Sequence, residues 1–322
     1  MDDLLKRAQN TVQISIIIPT LGREKILCNT IDSVLKEVQR CALRTEQYEL
    51  IIVDQTPKHV KSTEDFLRKY SEEGLIKYIF EQRTNLPNAR NVGIRKSNGT
   101  IVLFLDDDVI LHENFLKILL QTYQNGDYMS VVGLPYLKNL EGENILLDNQ
   151  SSIKKLLRTI ITRIFCGKKA SVITNFGVQL SNREHSKSAF ADAGKGCCMS
   201  FRKVVFDKIG YFDTNYIGNA LREETDLFFR MKKNNMIVYF NPNVALDHIM
   251  ANTGGCRNEQ NELYWKTFFD NQIYFFRKNY HFRKWWSICL LMFDILKLKR
   301  NGFSIMQFIN RSYNRSFILL KV

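Results

Sequence analysis

The sequence predicts an α/β fold in which helices flank a mostly parallel sheet, with a helical extension at the C-terminal end. Short apolar stretches alternate with amphipathic ones over about the first 110 residues, a pattern typical of strands joined by crossover helices. The most informative stretch is residues 99–110, an apolar run that ends in Asp106, Asp107 and Asp108. Asp is depleted within strands, so this run marks the carboxyl end of a strand. Ligands bind at such ends in open α/β sheets.

The N-terminal third is predicted to alternate strand and helix. Each strand is a short apolar stretch, and each helix has one apolar side or begins with a capping or proline signal. The strands are 14–18, 49–53, 76–80 and 101–105, and the helices are 23–38, one that starts near 62, and 87–96. Several of these strands end in polar turns, so their ends are expected to meet at one crevice.

Beyond the aspartates the sequence predicts a helix at 112–123 and a strand at 129–134. Residues 153–170 then hold six Lys/Arg and no acid, interleaved with apolar residues at helical spacing. This pattern predicts a basic amphipathic helix. It either lies on a surface or packs its apolar side against the protein, and both interpretations stay open.

A second group of acids lies in residues 222–233, where Glu223 and Glu224 fall in the first turn of a predicted helix. Acids at that position either complement the helix dipole, at about 0.3–1 kcal/mol each, or present a general base to a cleft. A late strand is predicted at 236–240, followed by His248. By its position alone, His248 is better interpreted as a core histidine than as a ligand.

The composition indicates a folded chain with an acidic partner. The 322 residues carry a formal net charge of +13, and 45% of them are hydrophobic, which is enough for a sizeable core. Residues 277–322 contain ten Lys/Arg and one acid, Asp294, so most of the excess charge belongs to the C-terminal end. Such a balance favours nucleic acid, an anionic membrane or phosphorylated substrates.

The cysteines and the N-terminal residues indicate a cytoplasmic setting. The seven cysteines are an odd number without a C-x-x-C pair, so neither a disulfide framework nor a zinc site is expected. Residues 1–6 contain acids and no apolar h-region, so no signal peptide is expected. The longest apolar run, 285–293, stops at Asp294, short of the roughly 20 residues of a membrane span.

The aspartate run itself points to two kinds of chemistry. Three adjacent carboxylates repel one another unless a cation or a donor-rich ligand holds them. Asp106 and Asp108 are two residues apart and offer the hard oxygen ligands that Mg²⁺ or Mn²⁺ prefers, together with a phosphate-bearing substrate. The alternative is a solvated turn ahead of a helix N-terminus. These residues alone leave both open.

Five short segments, taken together and in their order along the chain, indicate a protein family. They are IIIPT at 16–20, IIVD at 51–54, NLPNARNVG at 85–93, FLDDD at 104–108 and EETDL at 223–227, with His248 downstream. Together they resemble the family-two nucleotide-sugar glycosyltransferases of the GT-A fold, over roughly residues 12–250. The fourth looks like that family's D-x-D motif, and the fifth looks like its E-D-x-D-L motif.

The resemblance implies a role for each of nine residues, and it implies Mg²⁺ or Mn²⁺ as the cofactor. For the donor, Pro19 and Thr20 belong to the nucleotide-binding turn, Asp54 contacts the base, and Arg90 pairs with the diphosphate. Asp106 binds the ribose or shares the metal, and Asp107 completes the donor site. Asp108 and His248 hold the metal, and Glu224 is the general base.

Two departures from the family pattern bear on these roles. The second strand usually continues Asp-Gly-Ser, but here Asp54 is followed by Gln-Thr-Pro, so the acid is kept and the flexible turn is lost. The E-D pair is Glu223-Glu224, so the base is one methylene longer and its reach changes.

The resemblance also implies the reaction and its setting. An inverting enzyme would move a sugar from a UDP-hexose or similar donor to a hydroxyl of a glycan or lipid-linked acceptor, in surface polysaccharide synthesis. The catalytic domain is expected at 11–250, and a basic aromatic helical region at 251–322 would face the acceptor or an anionic membrane surface. A peripheral position on the inner face of the plasma membrane follows from these expectations.

The alternative function is a basic nucleic-acid-binding protein without catalysis. Aromatic residues among Lys/Arg near the C-terminal end are typical of a single-strand binder. That interpretation leaves the aspartate run, Glu223 and Glu224 unexplained, so we expect no nucleic-acid partner.

Overall fold

A nine-stranded mixed sheet forms the centre of the molecule. The structure is a computed structural model that describes residues 12–144, 159–160, 162–175, 177–182, 187–250, 254–255 and 262–280. Two further strands, β7 and β8, form a separate small sheet. The strands are β1 Ile14–Thr20, β2 Tyr48–Asp54, β3 Lys77–Phe80, β4 Ile101–Leu105, β5 Val109–Leu111, β6 Ser130–Lys138, β7 Ser171–Ile173, β8 Gln179–Ser181, β9 Ala189–Ala191, β10 Cys198–Arg202 and β11 Val238–Ile249.

The strand order of the large sheet is β3-β2-β1-β4-β10-β6-β11-β5, with β9 also paired to β11. The first four strands are mutually parallel, and so are β6 and β11. β10 lies antiparallel between β4 and β6, while β5 and β9 run against β11. The prediction of a mostly parallel sheet flanked by helices is therefore confirmed.

Helices flank the sheet, and a local signal accounts for the start of the third. They are α1 Lys25–Arg40, α2 Lys61–Glu72, α3 Leu86–Lys96, α4 Phe115–Gln124, α5 Val204–Ile209, α6 Glu223–Lys233 and α7 Glu262–Asn279. At the start of α3, the side chain of Asn85 accepts a hydrogen bond of 2.8 Å from the backbone N–H of Asn88. Pro87 lies in the same first turn, where its missing N–H costs nothing.

Strand β1 shows why the central stretches are apolar throughout. All of its residues are buried, and successive side chains point to opposite faces of the sheet. Ile16 and Ile18 pack in one core cluster with Leu103, while Ile17 packs in a second cluster with Phe104. Both faces of the sheet are therefore covered, as expected for parallel strands.

The late strand is longer than the sequence predicts. The predicted strand covers 236–240 and stops before Asn241 and Pro242; proline is disfavoured within strands. The structure continues the strand to Ile249, with an irregularity in its pairing to β6 between Phe240 and Ala245. The bulge absorbs the proline, which has no N–H to donate to the ladder. As a result, His248 lies within a strand.

A short strand that the sequence did not predict, β5, lies directly before the predicted helix at 112–123. β5 follows the aspartate run directly and pairs with the far end of β11. The helix begins only at Phe115, after Asn114 adopts a left-handed conformation with φ 64°. The prediction is therefore three residues too early.

The C-terminal part is described only through residue 280. Most of the basic residues behind the membrane prediction lie beyond that point, outside the described residues. Within the predicted basic helix at 153–170, residues 162–166 are helical and Ile164 is 72% exposed, while 153–158 and 161 are not described. Among the helices that the structure describes, none is long and apolar enough to cross a membrane.

Candidate active site

The polar strand ends meet at one edge of the sheet. β1 pairs in parallel with both β2 and β4, and Thr20 lies opposite Asp54 in the register. Pro19, one residue earlier, is buried within the sheet opposite Val53. The aspartate run leaves β4 at the same edge, so the predicted crevice is present.

Asp106, Asp108 and His248 bring their ligand atoms together, all within 4.8 Å of one another. Nε2 of His248 lies 3.0 Å from Oδ1 of Asp108 and 3.8 Å from Oδ2 of Asp106. The antiparallel pairing of β5 with β11 sets His248 opposite Val109, which brings a residue about 140 positions away to the aspartates. Two carboxylates and an imidazole form a ligand set that fits a divalent cation such as Mn²⁺.

The electrostatics of His248 follow from these neighbours. Burial alone would lower the pKa of the imidazole. Hydrogen bonds with Asp108 and Cys197, together with the charge of Asp106, outweigh burial and raise the pKa of His248 to about 11. The ring is therefore protonated at neutral pH, and a cation that binds Nε2 must displace that proton.

Asp107 is buried and is held by Thr20 and Arg23. Its carboxylate accepts a hydrogen bond of 2.7 Å from the Thr20 hydroxyl and pairs with Nε of Arg23 at 3.2 Å. The same guanidinium pairs through Nη2 with Asp108 at 3.0 Å. Burial and the adjacent Asp108 raise the pKa of Asp107. Arg23 thus holds two of the three aspartates, although the sequence prediction did not include it.

Arg90 links the aspartate run to helix α6. It is 2% exposed, its Nη1 forms an ion pair with Glu223, and its Nη2 lies 3.7 Å from Asp106. Its guanidinium carbon also lies 5.9 Å and 5.5 Å from the ring centres of Phe104 and Phe212, within cation–π range. The buried arginine therefore fixes the start of α6 beside Asp106.

The two adjacent glutamates have different surroundings. Glu223 is 1% exposed and paired with Arg90. Glu224 is half-buried, and its carboxylate makes no ion pair or hydrogen bond within the part of the chain that the structure describes. Of the two, Glu224 is therefore the carboxylate that remains open to accept a proton.

The turn before α6 is held in an unusual backbone conformation. Gly218 has φ 60°, Ala220 has φ 50° and Arg222 has φ 75°. A left-handed conformation costs a non-glycine residue of the order of 1–3 kcal/mol. Such strain persists only where surrounding contacts hold the chain in place, so the position of Glu223 and Glu224 depends on what packs against this turn.

Asp54 lies in a closed network at the end of β2. Its Oδ1 accepts a hydrogen bond of 2.8 Å from the backbone N–H of Thr56. Its Oδ2 lies 2.6 Å from Nε2 of His59 and 2.9 Å from the Tyr78 hydroxyl. His59 in turn contacts Glu24 at 3.2 Å. The predicted base-binding acid is thus fully buried, and neither of its partners, His59 and Tyr78, was part of the sequence prediction.

Burial of His59 would lower its pKa, but hydrogen bonds and charge from Asp54 and Glu24 outweigh this and raise the pKa. The charged ring therefore stabilises the fold below the unfolded pKa of about 6.5, and this contribution is lost as the pH rises through the folded pKa. We expect His59→Asn to cost about 1–3 kcal/mol of unfolding free energy at pH 6 and less at pH 9. Urea titrations at both values measure the difference.

Tyr78→Phe is the matched control for this prediction, because it removes a hydrogen bond to the same Asp54 oxygen. Burial and Asp54 raise the pKa of Tyr78, so its hydroxyl does not titrate between pH 6 and 9. Its stability cost should be equal at both values. A cost for His59→Asn that is equally independent of pH would show that the ring is neutral in the folded protein.

Similar solved structures are consistent with this arrangement. The chain is similar to the crystal structure of GalNAc-T7 with UDP, GalNAc and Mn²⁺, with a TM-score of 0.58 and 17% identity over 82% of this chain and 48% of that one. It is also similar to residues 1–349 of Staphylococcus aureus TarS, with a TM-score of 0.51 and 15% identity over 82% and 64% of the two chains. These likenesses show a GT-A fold.

The sequence comparisons give the family. The model described as glycosyl transferase family 2 matches residues 15–210, which is more than half of the chain, and the chain belongs to that family. This confirms the resemblance drawn from the five segments.

Two curated relatives share only part of their length with this chain. The poly(ribitol-phosphate) β-N-acetylglucosaminyltransferase TarP of Staphylococcus aureus is 33% identical over 107 residues, which is 33% of this chain and 32% of TarP. The glycosyltransferase EpsJ of Bacillus subtilis is 26% identical over 147 residues, which is 45% of this chain and 40% of EpsJ. The chain thus spans less than half the length of either relative.

Proposed function

We propose that this glycosyltransferase inverts the anomeric centre of its donor. In this proposal it moves a sugar from UDP-hexose or a similar nucleotide sugar to a hydroxyl of a glycan or lipid-linked acceptor, in surface polysaccharide synthesis. The observation that carries the proposal is the position of Arg90, which contacts both Asp106 and Glu223. The cluster of Asp106, Asp108 and His248, which can hold a cation, therefore lies next to the start of α6, where the Glu224 carboxylate is available.

The donor needs stabilisation where its bond breaks. A nucleotide sugar leaves as a diphosphate, so negative charge grows on the β-phosphate as the bond to the sugar breaks. Mg²⁺ or Mn²⁺, when bound by Asp108, His248 and Asp106, would neutralise that charge. Arg90 is proposed to pair with the diphosphate through Nη2, which lies on the side of Asp106, because a guanidinium suits contact with phosphate.

The remaining donor contacts are assigned to the strand-end turn. Pro19 and Thr20 lie where the nucleotide would cross the end of β1, and Thr20 is bonded to Asp107. Asp107 therefore contributes by holding this turn in place. Asp54 is assigned to the nucleotide base. Because its carboxylate is bonded to His59, either His59 contacts the base in its place or the base displaces His59.

The acceptor hydroxyl needs a base, because it is a poor nucleophile until its proton is removed. We assign this role to Glu224, whose carboxylate is half-buried and open, while Glu223 is occupied by Arg90. A single in-line displacement then passes through an oxocarbenium-like transition state, as in glycoside hydrolysis. The proton of the acceptor moves to Glu224 as the new glycosidic bond forms.

The net charge of +13 favours an anionic acceptor or an anionic surface. The relative TarP is named for a poly(ribitol-phosphate) acceptor, a polymer with one negative charge on each phosphate. An anionic glycan, or a lipid-linked glycan whose carrier bears phosphate, fits both observations.

A panel of nucleotide sugars tests the proposal. The full-length chain should hydrolyse or transfer from one UDP-sugar far faster than from the others, and only with Mn²⁺ or Mg²⁺ present. The chelator EDTA should abolish the reaction. Salt-sensitive retention on a nucleic-acid column, without turnover of any nucleotide sugar, would instead favour the nucleic-acid-binding alternative.

Peripheral binding to an anionic membrane, and with it a position on the inner face of the plasma membrane, is proposed for the C-terminal region 251–322, chiefly through residues 281–322, which hold most of its basic residues. Basic residues contribute about 1 kcal/mol each near an anionic leaflet, and Trp285 and Trp286 lie beside two basic residues. We expect the full chain to co-sediment with acidic vesicles, less so at high salt, whereas a chain ending at Tyr280 should not. Equal binding by both chains would exclude the tail as the membrane contact.

A further inference from the structure

One side of helix α7 carries polar side chains where a packed helix usually carries apolar ones. They are Thr267, Asn271, Tyr274 and Lys278, spaced four, three and four residues apart, so they lie on one face of the helix. We call this set the polar stripe. All four point at the chain from Asp213 to Arg222, which we call the 213–222 turn and which leads into α6.

The N-terminal half of the polar stripe, Thr267 and Asn271, binds the backbone of the 213–222 turn. Oδ1 of Asn271 accepts a hydrogen bond of 3.1 Å from the N–H of Ile217, and its Nδ2 donates to the Ile217 carbonyl at 2.8 Å. The same Nδ2 lies 3.0 Å from Oδ1 of Asn219. Thr267 accepts from the Asn219 N–H at 3.4 Å. A fully buried amide thus holds both polar groups of one residue in the turn.

The C-terminal half of the polar stripe, Tyr274 and Lys278, joins the start of the 213–222 turn to the first turn of α6. Lys278 Nζ lies 2.7 Å from Asp213 and 2.9 Å from Asp226, which is fully buried in the first turn of α6. The Tyr274 hydroxyl donates to Asp213 at 2.8 Å. Asn279, next to the stripe, donates to the other oxygen of Asp226 at 3.1 Å. One ammonium group therefore fixes the start of the turn to the start of the helix.

Residues beside the stripe hold the strained end of the turn. Arg222, with its left-handed backbone, donates through Nε to Gln272 at 2.6 Å. Its guanidinium carbon lies 5.3 Å from the ring centre of Phe275. Glu224 is two residues further on. The backbone conformation that aims Glu224 is thus maintained by contacts from α7.

We propose that α7 is a positioning element of the active site and that its polar stripe sets the place of Glu224. The working catalytic unit then extends to residue 280, beyond the 15–210 span of the family match and beyond the boundary at 250 expected from the sequence. The inference rests on the proposed function, in which Glu224 is the general base. Asn271 acts through the 213–222 turn, and Lys278 acts through that turn and through Asp226 in the first turn of α6.

Lys278→Met tests the proposal in the full-length chain. A misplaced base lowers turnover, and displacements near 1 Å cost up to about 100-fold. We expect kcat with the active nucleotide sugar to fall at least about tenfold, while the Kd for UDP with Mn²⁺ stays at the wild-type value. Lys278→Arg should restore most of the loss. Asn271→Ala should also lower kcat without changing the Kd, and it serves if Lys278→Met does not fold.

Lys232→Met is the matched control. Lys232 lies at the far end of α6 and anchors that helix to Asp192 at 2.6 Å and to the Ile173 carbonyl at 2.6 Å, with no contact to α7. It should lose comparable thermal stability and keep wild-type kcat. Equal losses of kcat in Lys232→Met and Lys278→Met would mean that the stripe only stabilises the fold, and the proposal would be wrong.

The outcome is separable from that of the proposed function. If Glu224→Gln is inactive while Lys278→Met and Asn271→Ala turn over at the wild-type rate, the base assignment stands and the positioning role falls. If Glu224→Gln is fully active, the base assignment itself fails. A parallel loss of UDP affinity and kcat in both stripe variants would place the effect on donor binding and overturn the proposal.

Discussion

Glu224→Gln is expected to abolish sugar transfer while leaving donor binding intact. The amide keeps the size and hydrogen-bonding capacity of the side chain but cannot accept the acceptor proton, and a missing general base typically costs 10²–10⁴-fold. The carboxylate makes no contact within the described residues that the change would break, so the fold should be unaffected. Initial rates with the active nucleotide sugar, together with calorimetry of UDP and Mn²⁺, measure both quantities.

Glu223→Gln serves as the contrasting variant, because it changes the neighbouring acid in the same way. It removes the charge that pairs with the buried Arg90, and breaking a buried pair costs about 3–5 kcal/mol. We expect a lower melting temperature and a smaller loss of turnover than in Glu224→Gln. A folded but inactive Glu223→Gln beside an active Glu224→Gln would move the base assignment by one residue.

The fold was largely predictable because its signals are local. The strands β1, β2 and β4 are buried on both faces, so each is a continuous apolar run in the sequence. Such a run predicts a strand even when the neighbouring strands are not known. β5 and the second half of β11 were missed because their pairing joins residues about 140 positions apart and crosses a bulge at Pro242.

The site residues that belong to a sequence motif were predictable. The residues whose role depends on contacts with distant parts of the chain were not. Asp106, Asp108 and His248 do converge, as the family resemblance implies. The partner of each buried charge was not readable, because Arg23, His59 and Lys278 reach their acids from other elements of the fold. A lysine in a basic, aromatic stretch is typical of a tail, and only the packing of α7 shows that Lys278 holds Asp213 and Asp226.

Asp108→Asn is expected to remove divalent-cation binding. The substitution takes away one carboxylate from the cluster, in which Oδ1 of Asp108 lies 3.0 Å from Nε2 of His248, while the amide keeps the shape of the side chain. Changes outside the ligand shell already cost 10–100-fold, so loss of a direct ligand should weaken Mn²⁺ binding at least about 100-fold. Calorimetry with UDP and Mn²⁺ measures this, and unchanged affinity would rule out Asp108 as a ligand.

Asp247→Asn is the control for Asp108→Asn, because Asp247 adjoins His248 in β11. Its side chain points to the other face of the strand and pairs with His112 at 2.9 Å, so Mn²⁺ affinity should stay at the wild-type value.

The pH dependence of Mn²⁺ binding supplies a second readout for the same site. The pKa of His248 is raised to about 11, so the cation must displace one proton throughout the neutral range. The apparent Mn²⁺ affinity of the wild type should therefore rise about tenfold for each pH unit between pH 6 and 8. In His248→Gln the affinity should be lower and should change less with pH, because no imidazole proton competes for the amide. A flat profile in the wild type would show that Mn²⁺ binding displaces no proton from His248.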